Sequence, residues 1–393
     1  MVQLYGRNYS RREISAHAGQ LAQFAGVRLM TLENGLERGV RMLEFRSGSG
    51  LRFTVMVDRG MDLGDCDHAG RAIGWVSPTG FRNPALHETE AEGGLGWLRS
   101  FSGLLSTCGL DHILGMSDES SEHYNYPYRK SIRHSIHGRV ALIPAHLSGY
   151  GEIWDGDDCT LYCEGTVQQS TVFGEDLHMV RRIEVKVGSN EIVLKDRVFN
   201  HGFYRTPHML LYHIDAAHPL VADGARYVAP VTDVVWAAHA GTDYETQGVS
   251  YRRFCGPRQG YREQVWQFEM GADANGQVPV AVINDALGLG LMVETLKAEF
   301  PCQYQWQNFQ AGMYTVGIEP STNHVLGRDY ARNHGELIWL EHGQEKRYTT
   351  RFAVLDGPAA TKAAEQRIRA IARELDGDYP VPSGNHLPIA GRT

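Results

Sequence analysis

Lysine is scarce in this chain of 393 residues: six, against 32 arginines. Arginine presents a planar fork of donors, so the excess admits anionic or hydroxyl-rich ligands. Genomic base composition is the plainer source of the same bias. The net charge is −8, which argues against nucleic acid as a partner. No run approaches the ~20 apolar residues that a membrane span needs, so no membrane role is expected. The opening residues, Met1 to Glu13, hold no apolar core of the signal-peptide kind, and a cytoplasmic protein is expected.

Cysteine is also sparse, and badly placed for metal. Cys66, Cys108, Cys159, Cys163, Cys255 and Cys302 form no C-x-x-C pair. The Cys159/Cys163 spacing has no second pair to complete a zinc site, so free buried thiols are expected. No G-x-G-x-x-G opens a helix after a strand, and no G-x-x-x-x-G-K-[ST] occurs. Dinucleotide and P-loop sites are thereby excluded, and no cofactor is expected. No repeat, low-complexity tract or Pro/Ser linker divides the chain, so residues 1–393 read as one domain.

What is present is mostly β-pattern. Gly39–Phe45 and Leu51–Val57 flank the turn Ser47-Gly48-Ser49-Gly50. Arg182–Val187 and Glu191–Val198 flank Gly188-Ser189-Asn190 in the same way. Further strands are expected at Val278–Ile283, Gly290–Thr295, Tyr304–Phe309, Tyr314–Ile318 and Arg347–Leu355. Many short strands spaced by turns predict an all-β sandwich or barrel. Helix is expected only at the ends. Ser10-Arg11-Arg12-Glu13 is a capping box within an N-terminal extension over about 1–25, and Ala359–Leu375 is an Ala-rich helix stopped by Gly377 and Pro380.

Five segments concentrate chemistry-bearing residues. Thr315 to Thr322 places Glu319 after Val316 and Ile318 and before Pro320, where the missing N–H is expected to end a strand at a sheet rim. Thr206 to Asp215 is rich in histidine, and strand alternation puts Met209, Leu211 and His213 on one face and His208, Leu210, Tyr212 and Ile214 on the other. His137 precedes Gly138, which allows close approach to the backbone. Asp58-Arg59-Gly60-Met61-Asp62 reads either as a ligand clamp or as ion pairing that pins a turn. Asp111 and His112, with His123, His134 and His137, are a histidine group whose spacing fits no standard metal pattern.

Together these segments resemble the aldose 1-epimerase (galactose mutarotase) family. The run from Thr206-Pro207 to Tyr212-His213 is similar to that family's T-P…N-H-S-Y-F-N-L segment, and Gly317-Ile318-Glu319-Pro320 to its L-E-T-Q segment. Ser135-Ile136-His137-Gly138 is similar to S-L-H-G, and Leu340 to Phe352 to the closing L-x-P-G-E pattern. Asp58–Asp62 and Cys108–His112 point to a divergent branch with D-R-G-M-D and C-G-L-D-H segments. The resemblance covers about residues 30–355. It implies a β-supersandwich of two large antiparallel sheets with a sugar groove on the concave side. It also implies His213 as general acid, Glu319 as general base and His137 as a sugar contact. Gln303 or Gln305 takes the place of the family's substrate glutamine, Glu263 that of an acidic ligand residue, and Arg59, Asp62, Asp111 and His112 are further substrate contacts. The chain departs from the common pattern around His213, which sits in Leu-Tyr-His-Ile-Asp, and at the N-A/N-R arginine segment, replaced by Ser106 to His112.

The implied reaction is interconversion of sugar anomers. A base takes the anomeric hydroxyl proton while an acid protonates the ring oxygen; the ring opens, the carbonyl face turns and the ring closes. The expectation is that His213 and Glu319 flank the sugar from opposite sides. Two other readings stand beside it: a metal-dependent sugar isomerase or lyase on the histidine group, and a sugar-binding module without catalysis. Oligomeric state is not readable from the sequence.

Overall fold

The computed structural model describes residues 1–122, 124, 129–238, 250–377 and 380–389. His123 lies outside them. The expected all-β architecture is present as three large antiparallel sheets. An eight-stranded sheet runs in the order His146–Asp155, Asp158–Ser170, Asp176–Lys186, Glu191–Asn200, Glu345–Asp356, Leu289–Leu296, Gln277–Asn284, Arg226–Val228. A six-stranded sheet runs Val231–Ala237, Gln264–Met270, Cys302–Asn308, Thr315–Ser321, Leu211–Ala217, Leu105–Cys108. A five-stranded sheet comprises Gly26–Thr31, Arg41–Arg46, Leu51–Met56, Asp62–His68 and Arg71–Ala72.

Alternation explains how the sheets share a core. On Asp176–Lys186 the odd positions Leu177, Met179, Ile183 and Val185 are buried while the even ones reach solvent. They join Leu194 and Val198, the inner residues Tyr212, Ile214, Val316 and Ile318 of the six-stranded sheet, and Leu43, Phe45, Phe53 and Val55 of the five-stranded one, in one apolar cluster. Burial of such side chains stabilises by about 1.5–3 kcal/mol each.

The helical ends also appear. Ser10 caps Arg11–His17 with both arms of the capping box made by Ser10 and Glu13. The C-terminal helix spans Pro358–Ile371, four residues short of the expected end. Its Ala364 and Ile368 cover Ala281, Ile283, Met292 and Leu355 on the outer face of the eight-stranded sheet. Among the described residues, no helix is long and apolar enough to cross a membrane. All six cysteines are free, and all but Cys255 are buried.

The expected strand end before Pro320 is not found. The strand runs on to Ser321, with Pro320 in register opposite Gln303. The proline removes a ladder bond rather than ending the strand. Pairing with Leu211–Ala217 holds at Leu211↔Ser321, passes over two positions, and resumes at Ile214↔Ile318. Glu319 is therefore mid-sheet, not at a rim.

Candidate active site

That register puts His213 directly across from Glu319 on the neighbouring strand. Opposite residues of an antiparallel pair point to the same face. On the other side, Tyr304 is opposite Glu319 and Trp306 is opposite Gly317, so both share the face. Asp215, two residues beyond His213, shares it by alternation.

His213 Nδ1 lies 2.8 Å from one Asp215 carboxylate oxygen and 3.0 Å from the other. Its Nε2 is 3.3 Å from Glu319 Oε1. That contact is close but not aligned as a hydrogen bond, and Glu319 Oε1 is buried without a hydrogen-bond partner. The three residues form a line: Asp215 orients the imidazole, and the imidazole and Glu319 present a nitrogen and an oxygen side by side.

Room for this comes from Gly317. A Cβ there would meet Glu319 Oε1 at 2.8 Å and both His213 Cε1 and Trp306 Cβ at 3.2 Å. A side chain in place of this glycine would thus displace the Glu319 carboxylate and crowd the His213 ring.

Burial and neighbours set the charges. Burial pushes Glu319 up, against the pull of His213; repulsion from Asp215 and Glu263 adds to the rise, to about 7. Burial opposes the charge on His213, but Asp215 and Glu319 outweigh it and raise the imidazole to about 9. Burial also raises Asp215, against the attraction of His213. Near neutrality the imidazole is cationic and the carboxylate is close to its titration midpoint, which suits an acid and a base.

The pair is covered. His213 is 4 % exposed and Glu319 is 3 % exposed. The Phe101 ring sits 4.6 Å from the His213 ring, Trp306 at 5.2 Å, His137 at 5.8 Å and Trp97 at 6.1 Å. Trp97 stacks on Phe101 at 4.1 Å. Trp97 belongs to the 3₁₀ turn Gly96–Arg99, in the segment from Arg82 to Phe101 that brings Trp97 and Phe101 against His213. Arg59 ties this segment down by donating to the carbonyls of Arg82 and Ser100.

The other expected site residues fall into three groups. His137 joins the pair, tilted against Trp97 at 4.6 Å, and is held neutral by burial and by repulsion from His213 and His112. Glu263 is exposed and accepts a 2.8 Å hydrogen bond from Trp306 Nε1, on the same face.

Gln303 and Gln305 do not join it. Because Tyr304 and Trp306 take the face of Glu319, the glutamines that alternate with them turn into the sheet-to-sheet interior. Gln305 donates to Tyr251 O at 2.9 Å and Gln303 to Tyr304 O at 2.8 Å. Asp62 is likewise interior. It accepts from Thr107 and from buried Arg181, which also binds Asp196, itself bonded to Tyr212. Asp58 pairs with Arg41 at 2.6 Å. Both carboxylates around Arg59 thus take arginines from elsewhere, and Arg59 binds backbone.

Asp111 and His112 form a third group. Asp111 accepts from Gln169 at 2.7 Å and lies 3.5 Å from His134. His112 stacks on His134 at 5.0 Å and meets Gly115 O at 2.7 Å, while His134 Nε2 meets Glu119 at 2.7 Å. Asp111 and His134 line a cavity of about 310 Å³ with Glu90, Arg139 and Glu175. The ring nitrogens of His112, His134 and His137 do not converge as metal ligands among the described residues. Sequence reasoning missed Asp215, which alternation from His213 reveals, and Trp97 and Phe101, which carry no local signal.

A family model described as a domain of unknown function, DUF4432, matches residues 37–354. The chain belongs to the DUF4432 family. No curated protein matches it. Among solved structures, this DUF4432 chain is similar to a protein from Klebsiella pneumoniae provisionally named an aldose 1-epimerase, at 27 % identity and TM-score 0.77, covering 93 % of this chain and 91 % of that one. It is also similar to a galactose mutarotase-like protein from Clostridium acetobutylicum, at 10 % identity and TM-score 0.55, covering 84 % of this chain and 98 % of that one. A protein from Synechocystis sp. PCC 6803 is similar at 16 % identity and TM-score 0.51, covering 79 % and 94 %. The fold is therefore galactose mutarotase-like, in a divergent branch.

Proposed function

We propose that this chain is a sugar mutarotase, with His213 as general acid and Glu319 as general base. The observation that carries the proposal is the cross-strand pair, a nitrogen and an oxygen 3.3 Å apart with Asp215 behind the nitrogen. The ring oxygen and the anomeric hydroxyl of a cyclic sugar are bonded to the same carbon. Two groups side by side can address both from one face of the sugar, so the expected placement on opposite flanks is replaced by a one-sided one. Cationic His213 protonates the ring oxygen as ionised Glu319 takes the hydroxyl proton, and the roles reverse on closure. Each positioned group contributes typically ~10²–10⁴-fold in rate. The names borne by the Klebsiella and Clostridium proteins support a small sugar as substrate.

The buried state of the pair requires that Trp97 and the segment around it move before a sugar reaches His213. In that account His137 and Trp306 contact the sugar, and Glu263 holds the Trp306 indole. The test is anomer-exchange NMR across neutral, acidic and keto sugars. Exchange accelerated for at least one sugar, without added metal, supports the reading. Sugar binding without acceleration identifies a binding module, and acceleration only with added metal identifies a metal-dependent enzyme; either result overturns it.

A further inference from the structure

Where two inner strands of the eight-stranded sheet meet their loops, a second cluster of chemistry-bearing side chains is found. Asp176 and His178 are two residues apart on one strand, with Leu177 and Met179 between and beyond them in the core. Both therefore point away from the core. The pairing Leu177↔Asn200 and His178↔Phe199 places His201 opposite Asp176. Three potential ligands meet at this strand end.

Their donor atoms lie within 4.8 Å of one another. His178 Nε2 is 3.0 Å from Asp176 Oδ1, and His201 Nδ1 is 3.0 Å from Asp176 Oδ2. The two imidazoles stack at 4.8 Å with 15° between their planes. The backbone is fixed as well: Asp176 O accepts from His201 N at 2.9 Å and from Gly202 N at 3.3 Å. Gly202 lets the chain turn there, since a Cβ would come within 3.2 Å of Asp176 Cβ. Ser170 Oγ donates to Asp176 Oδ1 at 2.5 Å and orients the carboxylate.

We propose that Asp176, His178 and His201 bind a divalent transition metal of the zinc class. Two imidazoles and a carboxylate are a ligand set suited to zinc, at ~2.0–2.2 Å from each donor. Side-chain rotation suffices to bring the donors to that distance, because the backbone is already held. His201 is exposed, so the fourth position faces water. The ion replaces the two imidazole–carboxylate hydrogen bonds and ties the Ser170–Asp176 hairpin to the end of Glu191–Asn200. The His213–Glu319 pair is on another sheet, so the ion takes no part in anomer exchange.

The test is titration of metal-free full-length protein with cobalt(II), read by its visible absorption, followed by displacement with zinc. One saturable equivalent is expected, with a thermal midpoint that rises on zinc addition. His178→Ala and His201→Ala are each expected to weaken binding at least tenfold and to abolish the thermal shift; His201 is exposed, so its variant does not threaten folding. Circular dichroism of the metal-free variants checks this. Absence of saturable binding, or binding unchanged in the double variant, overturns the proposal.

Discussion

Asp215→Asn removes one charge from behind His213 and keeps the size of the side chain. Asp215 is fully buried, and both its oxygens lie within 3.0 Å of Nδ1. It is the foremost of the groups that raise the imidazole to about 9 against the opposing effect of burial. Loss of an opposite charge at this range lowers a pKa by ~1–3 units. With a fall of two, the protonated fraction at pH 8 drops from roughly nine-tenths to roughly one-tenth. At pH 6 the imidazole stays largely protonated in both proteins. The variant is therefore expected to lose about tenfold in exchange rate at pH 8 and little at pH 6. In a full profile of kcat/KM against pH, the alkaline limb moves down from about 9, and the acid limb, set by Glu319 at about 7, moves down by less, because burial rather than Asp215 leads its rise. The assay is saturation-transfer NMR on the anomeric protons. An alkaline limb that does not move refutes the assignment of His213 as the acid held by Asp215.

Gly317→Ala places a methyl 2.8 Å from Glu319 Oε1, and exchange is expected to fall more than tenfold with circular dichroism unchanged; wild-type rates would show that the carboxylate does not work from its present position. Trp97→Ala opens the cover over the pair, and because burial leads the rise of Glu319, the acid limb is expected to move from about 7 towards the ordinary carboxylate range. A limb that stays put would mean that the aromatic cover does not supply the desolvation. Arg181→Met leaves Asp62 and Asp196 buried without their cation, at an expected cost of ~3–5 kcal/mol in urea unfolding; a change below ~1 kcal/mol would show that this network does not tie the sheets together.

The strands that turn signals bracket, such as Arg41–Arg46 with Leu51–Met56 or Gln277–Asn284 with Leu289–Leu296, were legible because glycine-rich turns and apolar alternation are local properties. His213 and Glu319 were legible through motifs, and their shared face follows only once the register is known. The position of Gln303 and Gln305 was misread for the same reason: which side of a strand faces the site depends on pairing, and a shift of one residue reverses it. Pro320 was read as a strand end because a missing N–H is a local fact, while its tolerance depends on three strands together. Arg59 and Asp62 sit three residues apart in one motif yet serve separate partners, backbone carbonyls and Arg181. The aromatic cover was invisible, since Trp97 and Phe101 meet His213 from more than a hundred positions away in the sequence.

Glu319→Gln tests the central assignment most directly. The substitution keeps shape and removes the base. Glu319 is raised in the fold from 4.5 to about 7, so its ionisation opposes folding: this stability is present at low pH and lost as pH rises from 4.5 through 7. Gln relieves a cost on the order of 3 kcal/mol at pH 8. The account predicts that anomer exchange disappears while the thermal midpoint at pH 8 is equal to or above that of the unaltered protein. Full exchange activity in this variant would contradict it.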